Sequence, residues 1–309
     1  MRQGARICAL FLPVVIGAAG QYAQAATFNV NCDKNEHIAK ALRVLASANP
    51  HGPNTINVTG VCRGNFVIQS MDRLTLITKN GASLTDRSGG TLPVVDIEDS
   101  QKVTLQGFTI NGGGERGVVC STASICYLTG NTIQGPGSFG VNVFKGARAF
   151  FESNVIQNWG RGAFISDGAQ VFSSNDVFQG NGGSAIVVLG SIFESFNSSF
   201  NNNGDGIEAG GGGVSLNGGS VSGNSGIGVR LLGNVSAGFG GATITGNGGV
   251  GVHLEDGAFA GFLGASITGN TGLDVECAPK FPITRFVART GGITNCVEPA
   301  SSSQPKPVE

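Results

Sequence analysis

Four ionisable residues recur at almost constant intervals: Glu208, Arg230, His253 and Glu276 follow one another 22, 23 and 23 residues apart. Carboxylate, guanidinium and imidazole together are what acid/base chemistry needs: a proton acceptor, a proton donor and a cation for developing negative charge. Asp205 lies just before Glu208, and a pair of carboxylates is what glycoside cleavage uses. The same pattern has a plainer reading. On adjacent strands, opposite charges side by side make a cross-strand ladder worth roughly 0.2–1 kcal/mol per pair, with no substrate involved. Charged outer positions also keep a sheet from associating with others. The ladder is the favoured reading. Glu208, Arg230 and His253, with Asp205 behind them, are the catalytic candidates should it fail.

Two ligand-binding candidates stand beside them. Glu276 extends the charged series. Trp159, the single tryptophan, sits in an Asn158-Trp159-Gly160-Arg161 turn, where an exposed ring would stack on a sugar. Between Gly162 and Pro279 there are nine acidic residues against one basic residue, Arg230, and His253. Such an excess of carboxylates suits Ca²⁺. Without a dense Asp-x-Asp cluster, however, no metal or other cofactor is expected.

The elements that position these residues follow from an internal repeat. Cutting before Val94, Gly117, Gly140, Gly162, Ser184, Gly206, Gly228 and Gly251 gives windows of 22 or 23 residues. Each opens on an alternating apolar stretch such as Gly228-Val-Arg-Leu. A second short stretch carries Phe151, Phe172, Phe193, Phe239 or Phe262, with Leu216 where a Phe is missing. A third carries Ile110, Ile133, Ile156, Phe178, Phe200, Val221, Ile244 and Ile267. Three strands of about four to five residues plus three turns consume one period. The pattern therefore predicts one turn of a parallel β-helix per window, an all-β solenoid of about 22-residue coils. Counting two residues into each window gives one outward column: Asn142, Phe164, Ile186, Glu208, Arg230, His253 and then Glu276. Asn158, Asn181, Asn203, Asn224, Asn247 and Asn270 recur in one turn, where stacked amides can bond from coil to coil.

These repeats resemble those of right-handed parallel β-helix proteins of the pectate-lyase-like superfamily. The resemblance implies a right-handed coil with an N-terminal capping helix, and related enzymes act on acidic polysaccharides at a strand face. The specific enzyme signatures are not matched. Polygalacturonases carry Asn-Thr-Asp, Asp-Asp, Gly-His-Gly and Arg-Ile-Lys. Here Asn203-Gly204-Asp205 is followed by no Asp-Asp pair, His253 sits in Gly251-Val-His-Leu, and Arg230 precedes Leu231-Leu232. A helix over Lys34–Ala48, with Ile38, Ala41, Leu42 and Leu45 on one face and Asp33 at its start, is the expected cap.

Composition agrees. Of 309 residues 52 are Gly, only 13% are charged, and 19 Lys+Arg nearly balance 20 Asp+Glu, which excludes a generally basic nucleic-acid binder. Arg2 and Arg6, the apolar run Ile7–Ala19 and Ala23-Gln24-Ala25-Ala26 have the layout of a secretory signal peptide. In an exported chain the six cysteines that remain suggest disulfides, and local order favours Cys32–Cys62, Cys120–Cys126 and Cys277–Cys296. The expected organisation is a signal peptide over 1–26, one domain over 27–297 and a disordered tail over 298–309. Within the domain, 27–53 form the strand and capping helix, 54–273 the coils and 274–297 the C-terminal cap. The reading is a secreted or periplasmic, monomeric scaffold without a membrane span or nucleic acid, structural or glycan-binding rather than enzymatic. The alternative is a lyase or glycoside hydrolase working on an acidic polysaccharide at the outward strand face.

Overall fold

The computed structural model describes residues 25–278, 285–287 and 294–296. Residues 1–24 of the expected signal peptide, and the expected tail, lie outside these residues. The chain winds into parallel strands on three faces, here called the opening, middle and closing sheets in the order each coil meets them. The closing sheet has ten strands, from Val61–Arg63 to Ser266–Thr268, one for each of ten coils. All pairings between coils are parallel, because each strand meets its counterpart one full turn later.

The core is built of columns. In the closing sheet Ile110, Ile133, Ile156, Phe178, Phe200, Val221, Ile244 and Ile267 pair in sequence, and none is more than 1% exposed. Phe178 and Phe200 stack with centroids 5.3 Å apart, close to the spacing of neighbouring strands. The aromatic column of the middle sheet differs from expectation. Phe151, Leu216, Phe239 and Phe262 point inward, and Phe193 fills the neighbouring inward column. Phe172 instead stands in register with Phe150 and Tyr127 on the outer face, stacked at 5.2 and 4.9 Å. Strands side by side place Phe150 and Phe151 on opposite faces, and a sequence window alone does not say which of the two repeats.

The corners are held by side-chain amides. Asn181, Asn203, Asn224, Asn247 and Asn270 form one ladder, buried through Asn247, each Nδ2 donating to the Oδ1 of the next at 2.8–3.0 Å. Each Oδ1 also accepts a backbone N–H from the coil before, as Asn224 Oδ1 does from Asn203 N at 2.9 Å. Asn158 is not a member. It has φ of 63° and is exposed, while the residue after it, Trp159, takes the ladder place. A second ladder at the corner between middle and closing sheets runs through Asn131, Asn154, Asp176 and Ser198. Burial pushes the Asp176 carboxyl up, although Ser173, Asn154 and Ser174 all donate to it.

The ends are closed. Helix α1, Ile38–Ala48, lays Ile38, Ala41, Leu42 and Leu45 on the first coil. Its N-cap is His37, without a side-chain cap bond. Asp33 does not cap the helix but accepts from Val61 N at 3.0 Å, tying the preceding turn to the first coil. At the other end Arg285–Val287 pairs with Phe259–Gly261 and Thr294 bridges to Val275. The three expected disulfides are formed, with Cα separations of 5.1, 6.4 and 5.2 Å.

Removing a ladder amide leaves buried donors unpaired, which costs about 1–3 kcal/mol per group. Asn224→Ala deprives Asn203 N and Nδ2 of their acceptor. It should lower the urea midpoint clearly, whereas Asn158→Gly, on the surface and at a positive φ that glycine adopts without strain, should leave it almost unchanged.

Candidate functional site

The outer face of the opening sheet carries the charged residues. Glu208 pairs with Arg230, Arg230 with His253 and His253 with Glu276, so the four do stand in one column on successive coils. Ile186 is not part of it. The coil through Gly182-Gly183 is one residue longer than its predecessor, so Ile186 falls in register with inward Ala163 and Ile207, and Val187 takes the outward place between Phe164 and Glu208.

The column divides into two groups. His253 Nδ1 lies 2.6 Å from Glu276 Oε2 and its Nε2 lies 2.9 Å from Glu255 Oε2. Both ring nitrogens of His253 are thus within hydrogen-bond distance of a carboxylate. Arg230 Nη2 stands 3.9 Å from Asp205 Oδ2.

The second group lines a shallow pocket. Asp205 and Glu208 meet Arg161, Ser184 and Ser225 there, over a floor that includes Gly204 and Gly226. Asp205 Oδ1 accepts from Ile227 N at 2.7 Å, and Glu208 Oε2 accepts from Ser184 Oγ at 3.2 Å. A Cβ at Gly226 would overlap the Asp205 carboxylate, so glycine at this turn makes room for it. The Arg161 guanidinium has no hydrogen-bond or ion-pair partner among the described residues. Arg161 was not singled out from the sequence, although a signal exists. Arg161, Ser184 and Asp205 each lie two residues before inward Ala163, Ile186 and Ile207, which are in register.

Trp159 is not a stacking platform. It is 2% exposed, its backbone N donates to Asn181 Oδ1, and its Nε1 donates to Ile133 O, both at 3.1 Å. The indole thus heads the amide ladder, in the role that Asn Nδ2 plays in later coils. It fills space left by Gly112, Gly117, Gly135, Gly137 and Gly140, at each of which a Cβ would crowd the ring.

Toward the N-terminus the same outer column runs through Asp96, Val119 and Asn142. Asp96 Oδ1, Asn142 Oδ1 and the nearby Arg116 Nε are buried without hydrogen-bond partners. Burial, reinforced by Glu98, raises the Asp96 carboxyl to about 6 against the pull of Arg116 and Lys145. Among the described residues, no group of three or more His, Cys, Asp and Glu side chains could hold a metal ion, and no helix is long and apolar enough to cross a membrane.

With fold and site in view, the chain has the fold of a right-handed parallel β-helix. A family model described as a right-handed β-helix region matches residues 88–213. Among solved structures, an alginate lyase from Paenibacillus sp. str. FPU-7 superposes with a TM-score of 0.58 at 16% identity, covering 88% of this chain and 99% of its own. Pectate lyase Pel9A gives 0.59 at 12%, covering 80% and 78%. The periplasmic alginate epimerase AlgG gives 0.54 at 15%, covering 85% and 82%. No curated protein sequence matches the chain. At these identities the likeness establishes the fold.

A folded-state carboxyl raised above its unfolded value contributes fully at low pH and loses that contribution as pH rises through about 6. Asp96→Asn removes the charge without breaking a bond to Oδ1. It should raise stability at pH 8 by about 1–2 kcal/mol after allowance for screening, and leave it nearly unchanged at pH 4, in paired urea titrations.

Proposed function

We propose that the protein is an exported, non-catalytic glycan-binding protein, secreted or periplasmic, which holds sugar hydroxyls in the pocket between Arg161 and the Asp205–Glu208 pair. Carboxylates accept from hydroxyls and a guanidinium donates to them, so the set suits adjacent hydroxyls of one sugar ring. The observation that carries the reading is the occupation of His253. With both nitrogens engaged by Glu276 and Glu255, the imidazole of the column is not free to act as a base. The disulfides support an oxidising compartment. The neighbours in fold are named for enzymes of polysaccharides, and one of them is periplasmic.

The acidic surroundings of the pocket favour a neutral glycan. A lyase or hydrolase acting on an acidic chain is the second reading, and it rests on the same two carboxylates. Yet Asp205, Glu208, Glu255 and Glu276 stand here against Arg161, Arg230 and His253, and their field opposes a polyanion.

A glycan array followed by titration calorimetry tests the proposal. Glu208→Gln and Arg161→Ala should each weaken a captured neutral oligosaccharide about tenfold or more, as expected for loss of a charge-assisted hydrogen bond. His253→Ala and treatment with EDTA should leave the affinity unchanged. New reducing ends or unsaturated-product absorbance during incubation, lost in Glu208→Gln, would establish the enzymatic reading instead.

A further inference from the structure

A cleft of about 980 Å³ opens at the other end of the molecule, between helix α1 and the first closing strand, Val61–Arg63. Arg43, Arg63, Arg87 and His37 line it. One carboxylate, Glu36, shares the lining, and its Oε2 is taken by Asn31 N at 2.6 Å. Arg43 Nε donates to Ala39 O at 3.3 Å. The guanidinium groups of Arg63 and Arg87 have no hydrogen-bond or ion-pair partner among the described residues. The first turn of α1 carries no acidic residue. The rim is apolar, with Val61 and Leu92 48% and 54% exposed.

Three arginines facing one concavity repel each other, and a chain as rich in carboxylates as in cations has left them unneutralised. A single planar carboxylate satisfies one guanidinium fork, whereas several forks around one space match a group with three outward oxygens. The volume is that of a small-ligand site, and the three arginines that line it are exposed, so a ligand in the cleft can reach them. We propose that this cleft binds a sugar carrying a tetrahedral oxyanion ester, sulfate or phosphate, with the ester held by Arg63, Arg87 and Arg43 and the sugar against Val61 and Leu92. The site is separate from the Arg161 pocket and stands or falls without it.

The test is titration calorimetry of the full protein at low ionic strength. The probes are a sulfated disaccharide, the same disaccharide without sulfate, a sugar phosphate and inorganic sulfate. The sulfated disaccharide or the sugar phosphate should bind at least tenfold more tightly than the unsubstituted sugar, and added salt should weaken it. Arg63→Gln/Arg87→Gln should cost at least tenfold while Arg161→Ala costs nothing. Arg43→Gln serves as a milder variant if the double substitution perturbs the circular dichroism. Equal affinity with and without the ester, or indifference to the arginines, would overturn the proposal. So would inorganic sulfate binding as tightly as the ester, or capture by phosphatidylcholine–phosphatidylglycerol vesicles that outcompetes the disaccharide.

Discussion

The ladders of side-chain amides at the corners of the coils from Asn131 onward are the constraint from which the rest follows. A backbone that turns three times per coil leaves N–H and C=O groups at each bend that the strands cannot use, and a buried polar group must find a partner. Asn203 meets this demand by bonding to Asn224 on one side and to Phe178 O on the other. Because each amide must meet its counterpart, coils cannot slide past one another. A slip of one residue would exchange inner and outer columns. The outward positions are therefore set by the corners as firmly as the core is, and Arg161, Ser184 and Asp205 are brought together by a register that none of them enforces.

Charge is divided along the axis. The N-terminal cleft gathers arginines, while the coils beyond Gly162 gather carboxylates. Exposed ion pairs contribute little to folding, typically under 1 kcal/mol, and Arg230–Asp205 at 3.9 Å is of that kind. Stability comes instead from the continuous apolar columns and the ladders between them. The polar side chains of the outer face are tied to one another, as His253 is to Glu276 and Glu255.

Most of the architecture was legible because a repeat reports itself. Ile244 and Ile267, one period apart, are in contact across the closing sheet, and the disulfide pairing followed from order along the chain. What escaped were features that depend on a single residue of offset. Phe150 and Phe172 form the outer aromatic stack, yet a window centred on Phe151 places the ring inside. Ile186 was displaced by one long coil. Trp159 looked exposed because its turn is polar, whereas the space for its indole is written in glycines one and two coils away. Asp96 escaped because burial between coils sets its environment first, with Glu98, Arg116 and Lys145 acting on it after that.

The indole at the head of the ladder also divides the solenoid by origin. Beyond Asn181, each coil presents the same amide above and below, so whole turns can be gained or lost and the remaining ends still match. Across Trp159 no such exchange is open. Its ring spans the room of two coils and depends on glycines at five positions, so those coils are packed as a unit. A coil removed there would leave the indole without its space, whereas one removed beyond Asn181 would bring one amide against another like it.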